Sequence, residues 1–365
     1  MVAAGFIAVG SGPAGVSAAE TFRAKHRDIP VRILTDDPAL PYAKPPLSKG
    51  YLCGREDKHD LHSAAWFTRN RIDLIRGVTV AAIDVDRQQV ITKGGRRYPY
   101  WHLVLASGAT AVRPDIPGVE TALTLRTFAD AVALKMAARY ADTAVVIGAG
   151  LIGCEAATCL AEQGVATTLV AVEPVPLHRR FGLEAGERVA KILSDNDVRF
   201  AGDTTVIGID DTGVLLGTGE GIDADVVVTA TGVRPDVTLA RAAGLAIRDG
   251  RIVVDEHMRT SARNVYAAGD VALARNVTAG KHIPAEHWRD AAQQGYVAGL
   301  TAAGYAASWD KMPQYSCVIG DYVLTYRGWG TGYDISSLVD HHDGFTVQYE
   351  ADGKQVGVLT ASRGV

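Results

Sequence analysis

Two glycine runs in this chain have the spacing of phosphate cradles: Gly10-Ser11-Gly12-Pro13-Ala14-Gly15 and Gly148-Ala149-Gly150-Leu151-Ile152-Gly153. Each follows an apolar run, Phe6 to Val9 and Ala144 to Ile147, and each opens a stretch that reads as helix, to about His26 and about Gln163. In that context the first glycine makes the tight turn, the second lets a pyrophosphate approach the backbone, and the third packs helix on strand. The exposed N–H groups at the helix start then hold the phosphates. One such pattern is weak evidence; two in context predict two dinucleotide sites. An acid closing the next strand would take the ribose hydroxyls. In the first unit Val31 to Thr35 ends at Asp36, with Asp37 beside it. In the second, Thr167 to Val172 reads as the strand and Ala171 stands at its end. The nearest acid there is Glu173, which reads equally well as a solvated loop charge.

Lys49 is a cation inside an otherwise apolar Pro45-Pro46-Leu47-Ser48 segment, and Glu155 falls on the first turn of the second glycine-turn helix. If they meet, each balances the other's burial, either as a structural salt bridge or as a stabiliser of charge developing in a site. The four cysteines make no disulfide framework for 365 residues and point to a reducing compartment. Cys154 and Cys159, five apart on a helix, point about 140° from each other and read as small buried residues. No cluster has zinc or iron–sulfur spacing, so no metal site is expected.

The elements that must position these groups repeat as strand, glycine turn, helix, strand. Tyr100 to Ala106 and Asp225 to Ala230 are further apolar strands ending in small-residue turns, Ala106-Ser107-Gly108 and Ala230-Thr231-Gly232. Val265 to Ala268 is another, ending in Gly269-Asp270, where Asp270 also reads as a helix N-cap. From Gln314 the texture changes to alternating strands with Asp-Gly turns such as Asp352-Gly353. The expected fold is α/β: two doubly wound dinucleotide-binding domains of glutathione-reductase type plus a small α+β C-terminal domain. Expected boundaries are 1–110 with 236–303, 111–235, and 304–365. A hydrophobic fraction of 47%, a charged fraction of 21% and a net charge of −4 suit a soluble globular chain and favour neither nucleic acid nor an anionic membrane. The N-terminal apolar run is broken by Gly10, Gly12 and Pro13 with no basic flank, so no targeting signal or span is expected, and the expected compartment is the cytoplasm.

Tyr42-Ala43-Lys44-Pro45-Pro46-Leu47-Ser48-Lys49 followed by Tyr51-Leu52 resembles a signature of the FAD-dependent NAD(P)H ferredoxin and rubredoxin reductases, the putidaredoxin reductase and biphenyl dioxygenase ferredoxin reductase type. Leu125-Arg126-Thr127, Gly148 to Glu155, Asn264 to Asp270 and Glu286-His287-Trp288 are similar to further motifs of that family, in order, from residue 1 to about 312. The resemblance implies FAD on the first unit and NADH on the second, with NADPH possible. It implies an electron-transfer oxidoreductase serving a small iron–sulfur protein, ferredoxin or rubredoxin, of an oxygenase or P450 system. Asp270 would bond the flavin ribityl chain, and the Trp288 backbone at a helix start would face the pyrimidine edge. Lys44, Val80, Arg126, Glu286 and His287 would also line the cofactor sites, and Lys49 with Glu155 would act beside the reacting edge of the flavin. Monomer and homodimer both stay open. Disulfide reduction is disfavoured, because glutathione-reductase-like enzymes need two cysteines facing the flavin and the first domain has only Cys53.

Three departures from the family stand out. Ala171 replaces the acid that selects NADH, while His178-Arg179-Arg180 follows and could hold a 2′-phosphate, although Glu173 would repel it. At Pro313-Gln314-Tyr315-Ser316-Cys317-Val318, Ser316 takes the place of a tryptophan near the flavin, with Cys317 beside it. The chain also stops at Val365, where relatives continue with a helical tail; a trimmed and a naturally short form fit equally. Two other functions remain alternatives. One is a flavoprotein that reduces oxygen or a small organic acceptor. The other is an NADH-sensing interaction protein like apoptosis-inducing factor.

Overall fold

The strand Gly5–Val9 is buried at all five positions, which explains its unbroken apolar run in place of an alternating one. In this computed structural model, which describes residues 2–330 and 332–364, it is the centre of a sheet. Met1, Thr331 and Val365, and so the outermost ends of the expected first and third domains, lie outside the described residues. The chain divides into two compact units. The first comprises the residues up to Ala43, His59–Thr110 and Arg234–Pro313; the second comprises Lys44–Lys58, Ala111–Val233 and the residues from Gln314 on.

In the first unit Gly5–Val9 pairs in parallel with Val31–Leu34 on one side and Arg97–Leu105 on the other. Ile72–Ile75 extends the sheet in parallel beyond Val31–Leu34, and Val265–Ala267 pairs in parallel with Arg97–Leu105. The antiparallel strands Gln89–Thr92 and Val80–Asp84 continue from the start of Arg97–Leu105. Parallel neighbours need crossovers, and the Pro13–Lys25 helix supplies the first. It packs on the Trp288–Ala302 helix through small residues: a Cβ added at Gly295 would lie 2.2 Å from Ala14 O, and one at Gly299 would lie 2.6 Å from Ala18 O. A separate four-stranded sheet, Ile247–Arg248, Arg251–Val254, Ala272–Asn276 and Lys281–Pro284, completes the unit.

The second unit repeats the plan. Five parallel strands run in the order Val198–Ala201, Ala166–Val170, Thr143–Ile147, Val226–Thr229, Leu123–Thr124. Val145 and Val146 are fully buried at its centre. The Leu151–Glu162 helix follows the central strand, as Pro13–Lys25 does in the first unit. The residues from Gln314 form a five-stranded antiparallel sheet with a Lys354–Arg363 strand near its middle, the alternation expected from the sequence. Among the described residues no helix is long and apolar enough to cross a membrane.

Candidate functional site

The two glycine turns are nearly superimposable in their constraints. Gly10 has φ +105° and Gly148 has φ +108°, a region that residues with a Cβ rarely enter. A Cβ at Gly15 would lie 2.0 Å from Gly10 O, and one at Gly153 would lie 1.9 Å from Gly148 O. The third glycine of each run is therefore set by contact of the helix with its own turn. The middle glycines differ: a Cβ at Gly12 or Gly150 would meet nothing within 4 Å. Among the described residues nothing lies within 4 Å of that position at either one, and each is the N-cap of its helix with no side-chain cap. Unclaimed N–H groups beside open space suit an anion, so both turns fit a pyrophosphate. Pro13, Ala14, Leu151 and Ile152 form the first positions of these two helices.

Behind each turn a strand ends in a small residue. A Cβ at Gly10 would meet Ala106 O at 2.2 Å, and one at Gly148 would meet Ala230 O at 2.6 Å. The next hydroxyl anchors each turn: Ser107 Oγ donates to Asp236 O at 2.8 Å, and Thr231 Oγ1 donates to Val112 O at 2.8 Å. Gly108 and Gly232 follow at positive φ.

The adjacent acids of the first unit have different environments. Asp37 accepts from the Ala39 N–H at 2.9 Å and from the Tyr42 hydroxyl at 2.9 Å, so its carboxylate closes the loop. Asp36 is exposed just past the strand end. In the second unit Ala171 is buried, and Glu173 pairs with Arg179 at 2.6 Å. Arg180 is used differently, its Nη1 donating to the Tyr315 hydroxyl at 3.1 Å while its guanidinium lies over that ring. His178 opens the next helix.

Gly269 and Asp270 sit in a turn that leads into the Ala272–Asn276 strand, so Asp270 caps no helix, contrary to one reading of the sequence. Two residues that carry no motif organise this turn. Gln294, fully buried, accepts from the Gly269 N–H at 2.9 Å, and Arg251 donates to Asp270 O and pairs with Glu286 at 2.6 Å. Gln294→Leu leaves the Gly269 N–H buried without an acceptor, a loss expected to cost about 1–3 kcal/mol of stability. A thermal melt checks it. His287 is the N-cap of the Trp288–Ala302 helix, its Nδ1 accepting from the Arg289 N–H at 3.4 Å, and Trp288 is the exposed first residue. Val80 begins the outer strand of the first unit's hairpin extension.

In the second unit Lys49 and Glu155 meet at 2.7 Å, Nζ to Oε1. Glu155 is buried and sits at the fifth position of its helix, one turn further in than the sequence suggests. Its carboxylate has two more donors: the Ser48 hydroxyl at 2.5 Å to Oε2, and the Val318 backbone N–H at 3.1 Å to Oε1. One cation and two neutral donors fix this buried carboxylate in place. Lys44 Nζ donates to Arg126 O at 3.1 Å, just before the Thr127–Asp130 capping box of the next helix. Cys317, beside the Val318 donor, is buried, and burial, reinforced by the charge of Glu155, pushes its thiol well above the ordinary range. Cys154 is raised too, chiefly by burial, so both remain neutral thiols. Cys159 is the correction. It is disulfide-bonded to Cys53 across 106 residues, with Cα atoms 4.9 Å apart, and is not simply a small buried residue.

The chain is similar to known proteins along most of its length. A family model described as pyridine nucleotide-disulphide oxidoreductase matches residues 6–295. The rubredoxin-NAD(+) reductase of Pseudomonas putida is 31% identical over 353 residues, covering 94% of this chain and 91% of that protein. The ferredoxin–NAD(+) reductase component of the anthranilate 1,2-dioxygenase system of Burkholderia cepacia is 34% identical over 326 residues, covering 86% and 80%. The crystal structure of the covalent putidaredoxin reductase–putidaredoxin complex is similar with a TM-score of 0.94 at 29% identity, covering 99% of this chain and 90% of that one.

Proposed function

Because the chain belongs to the pyridine nucleotide-disulphide oxidoreductase family, we propose that it is an FAD-dependent NADH oxidoreductase that passes electrons to a small iron–sulfur protein, a ferredoxin or rubredoxin. The observation that carries this reading is the pair of glycine turns whose middle residues, Gly12 and Gly150, face open space. Gly10 to Gly15 would hold the FAD pyrophosphate and Asp36 the adenosine ribose; Gly148 to Gly153 would hold NADH. When bound, FAD accepts two electrons from NADH and releases them singly, which side chains cannot do. The fixed Lys49–Glu155 pair would place a cation where negative charge develops. The cytoplasm, where NADH is available, is the proposed compartment.

A protein that binds FAD without covalent attachment and reduces a ferredoxin or rubredoxin with NADH is the expected result. Rapid-mixing reoxidation of the reduced protein, with and without those carriers, is the measurement. Reoxidation by oxygen as fast as by any carrier would favour the second reading, an oxygen or small-molecule acceptor, for which the exposed Ser316 in place of an aromatic side chain is the supporting feature.

The Glu173–Arg179 pair supports NADH over NADPH, because the guanidinium that would meet a 2′-phosphate is occupied by a carboxylate that repels it. Glu173→Ala frees Arg179 and raises the NADPH to NADH ratio of kcat/KM roughly tenfold, about 1.4 kcal/mol. Steady-state rates with both cofactors give the answer, and an unchanged ratio removes Glu173 from cofactor choice.

A further inference from the structure

The loop after the Pro45–Ser48 turn is fastened along one side of the Leu151–Glu162 helix at successive turns. Lys49 pairs with Glu155, Cys53 is bonded to Cys159, and Arg55 pairs with Glu162. Gln163 Nε2 adds a bond to Leu52 O at 3.2 Å. Residues 155, 159 and 162 are four and three apart, the spacing of one helix face. These fastenings differ in strength. Arg55 and Glu162 are 56% and 44% exposed, and pairs of that kind contribute little. The covalent link is therefore the strongest fastening of the chain beyond Lys49 to the helix, one turn from the Glu155 carboxylate.

We propose that Cys53–Cys159 is a redox site separate from the dinucleotide sites, a disulfide/dithiol couple that sets how firmly the Lys49 loop is held on the Glu155 helix. The couple does not depend on the reductase reading. The reductant is a dithiol of the dithiothreitol or thioredoxin class. Its thiolate attacks Sγ of Cys53, the more exposed of the two residues, forming a mixed disulfide and releasing Cys159, which takes up a proton. The second thiol of the reductant then closes its own disulfide and releases Cys53 as a thiol. Two electrons and two protons pass from the dithiol to the protein bridge. A disulfide oxidant reverses the exchange.

The reduced state has a defined place for Cys159. Its sulfur lies 3.4 Å from Lys49 O and 3.6 Å from Ser48 O. In the bridge it has no proton to donate; as a thiol it donates weakly to one of these carbonyls. Reduction thus exchanges a covalent link for an S–H contact at the same spot, loosening the loop without expelling it. Cys154 and Cys317 do not compete, since burial keeps both as neutral thiols and the thiolate is the reactive form.

The test is alkylation and hydrogen exchange on the full chain. Air-handled protein, denatured in N-ethylmaleimide, should take up two labels, at Cys154 and Cys317, and dithiothreitol-treated protein four. Backbone amides of residues 49–54 should exchange about tenfold or more faster in the dithiol form, as expected for a local opening made easier. Cys53→Ser with Cys159→Ser should show the fast rate with and without dithiothreitol. Four labels in air-handled protein, or equal exchange in the two states of the wild-type chain, overturns the proposal. A chain that oxidises no NADH in either state speaks against the reductase reading, and the label count and exchange rates still decide this one.

Discussion

Lys49→Met slows the bleaching of bound flavin by NADH roughly ten- to a thousand-fold while FAD stays bound, the range for losing one preorganised electrostatic contact. The ammonium is held within 2.7 Å of a buried carboxylate, so it is fixed in advance and costs little reorganisation when charge develops nearby. Its benefit belongs to the transition state, and NADH affinity should change far less than the rate. The structure also shows why the variant should fold. Without Lys49, Glu155 still accepts from Ser48 and from the Val318 N–H, so the carboxylate is not stranded. Lys49→Met combined with Glu155→Gln should be less than additive, because the two share one interaction. Rapid mixing with NADH under anaerobic conditions is the measurement. A wild-type bleaching rate in Lys49→Met would reduce the pair to a structural salt bridge.

Two substitutions three residues apart should fail in opposite ways. Gly12 is extended, with φ −69° and ψ 179°, and has open space where a side chain would go, so Gly12→Val should fold with close to normal stability. That side chain occupies the phosphate's approach, and FAD affinity should fall at least about a hundredfold, some 2.7 kcal/mol. Gly15→Val drives a Cβ to 2.0 Å from a backbone oxygen that cannot move aside, and the expected loss is about 3 kcal/mol or more of stability. Flavin absorbance and thermal melts of the two variants separate the cases. A yellow Gly12→Val protein would mean that the pyrophosphate does not lie over this turn.

What the sequence makes legible is local. A glycine turn between an apolar strand and a helix is written in ten consecutive letters, and both copies fold as read. The C-terminal alternation is equally local, and it appears as an antiparallel sheet. Apart from the Lys49–Glu155 pair, which the family resemblance suggests, long-range pairings are not legible. Nothing in the spacing of Cys53 and Cys159 indicates that they meet, since the loop that brings them together is folded by residues elsewhere. The Val318 contact to Glu155 is made by a main-chain N–H, which has no letter at all. Gln294 and Arg251 look like ordinary polar residues until the Gly269–Asp270 turn is seen against them. Asp36 and Asp37 are adjacent identical letters, and only Tyr42 and the Ala39 N–H separate their roles.

Each unit is assembled from three stretches of chain, and this affects the order in which a ribosome can complete them. The first unit needs residues as late as Pro313, and the second joins Lys44–Lys58 to strands beyond Gln314. The segment bearing Lys49 emerges early but has no finished unit to join until the C-terminal sheet is made. At ordinary synthesis rates that interval is on the order of tens of seconds. For part of it the Thr143–Ile147 sheet still waits for Val226–Thr229 and the Gly5–Val9 sheet for Val265–Ala267, a state prone to aggregation. Yield of this protein should therefore respond to expression temperature and chaperone supply more than its finished stability would suggest.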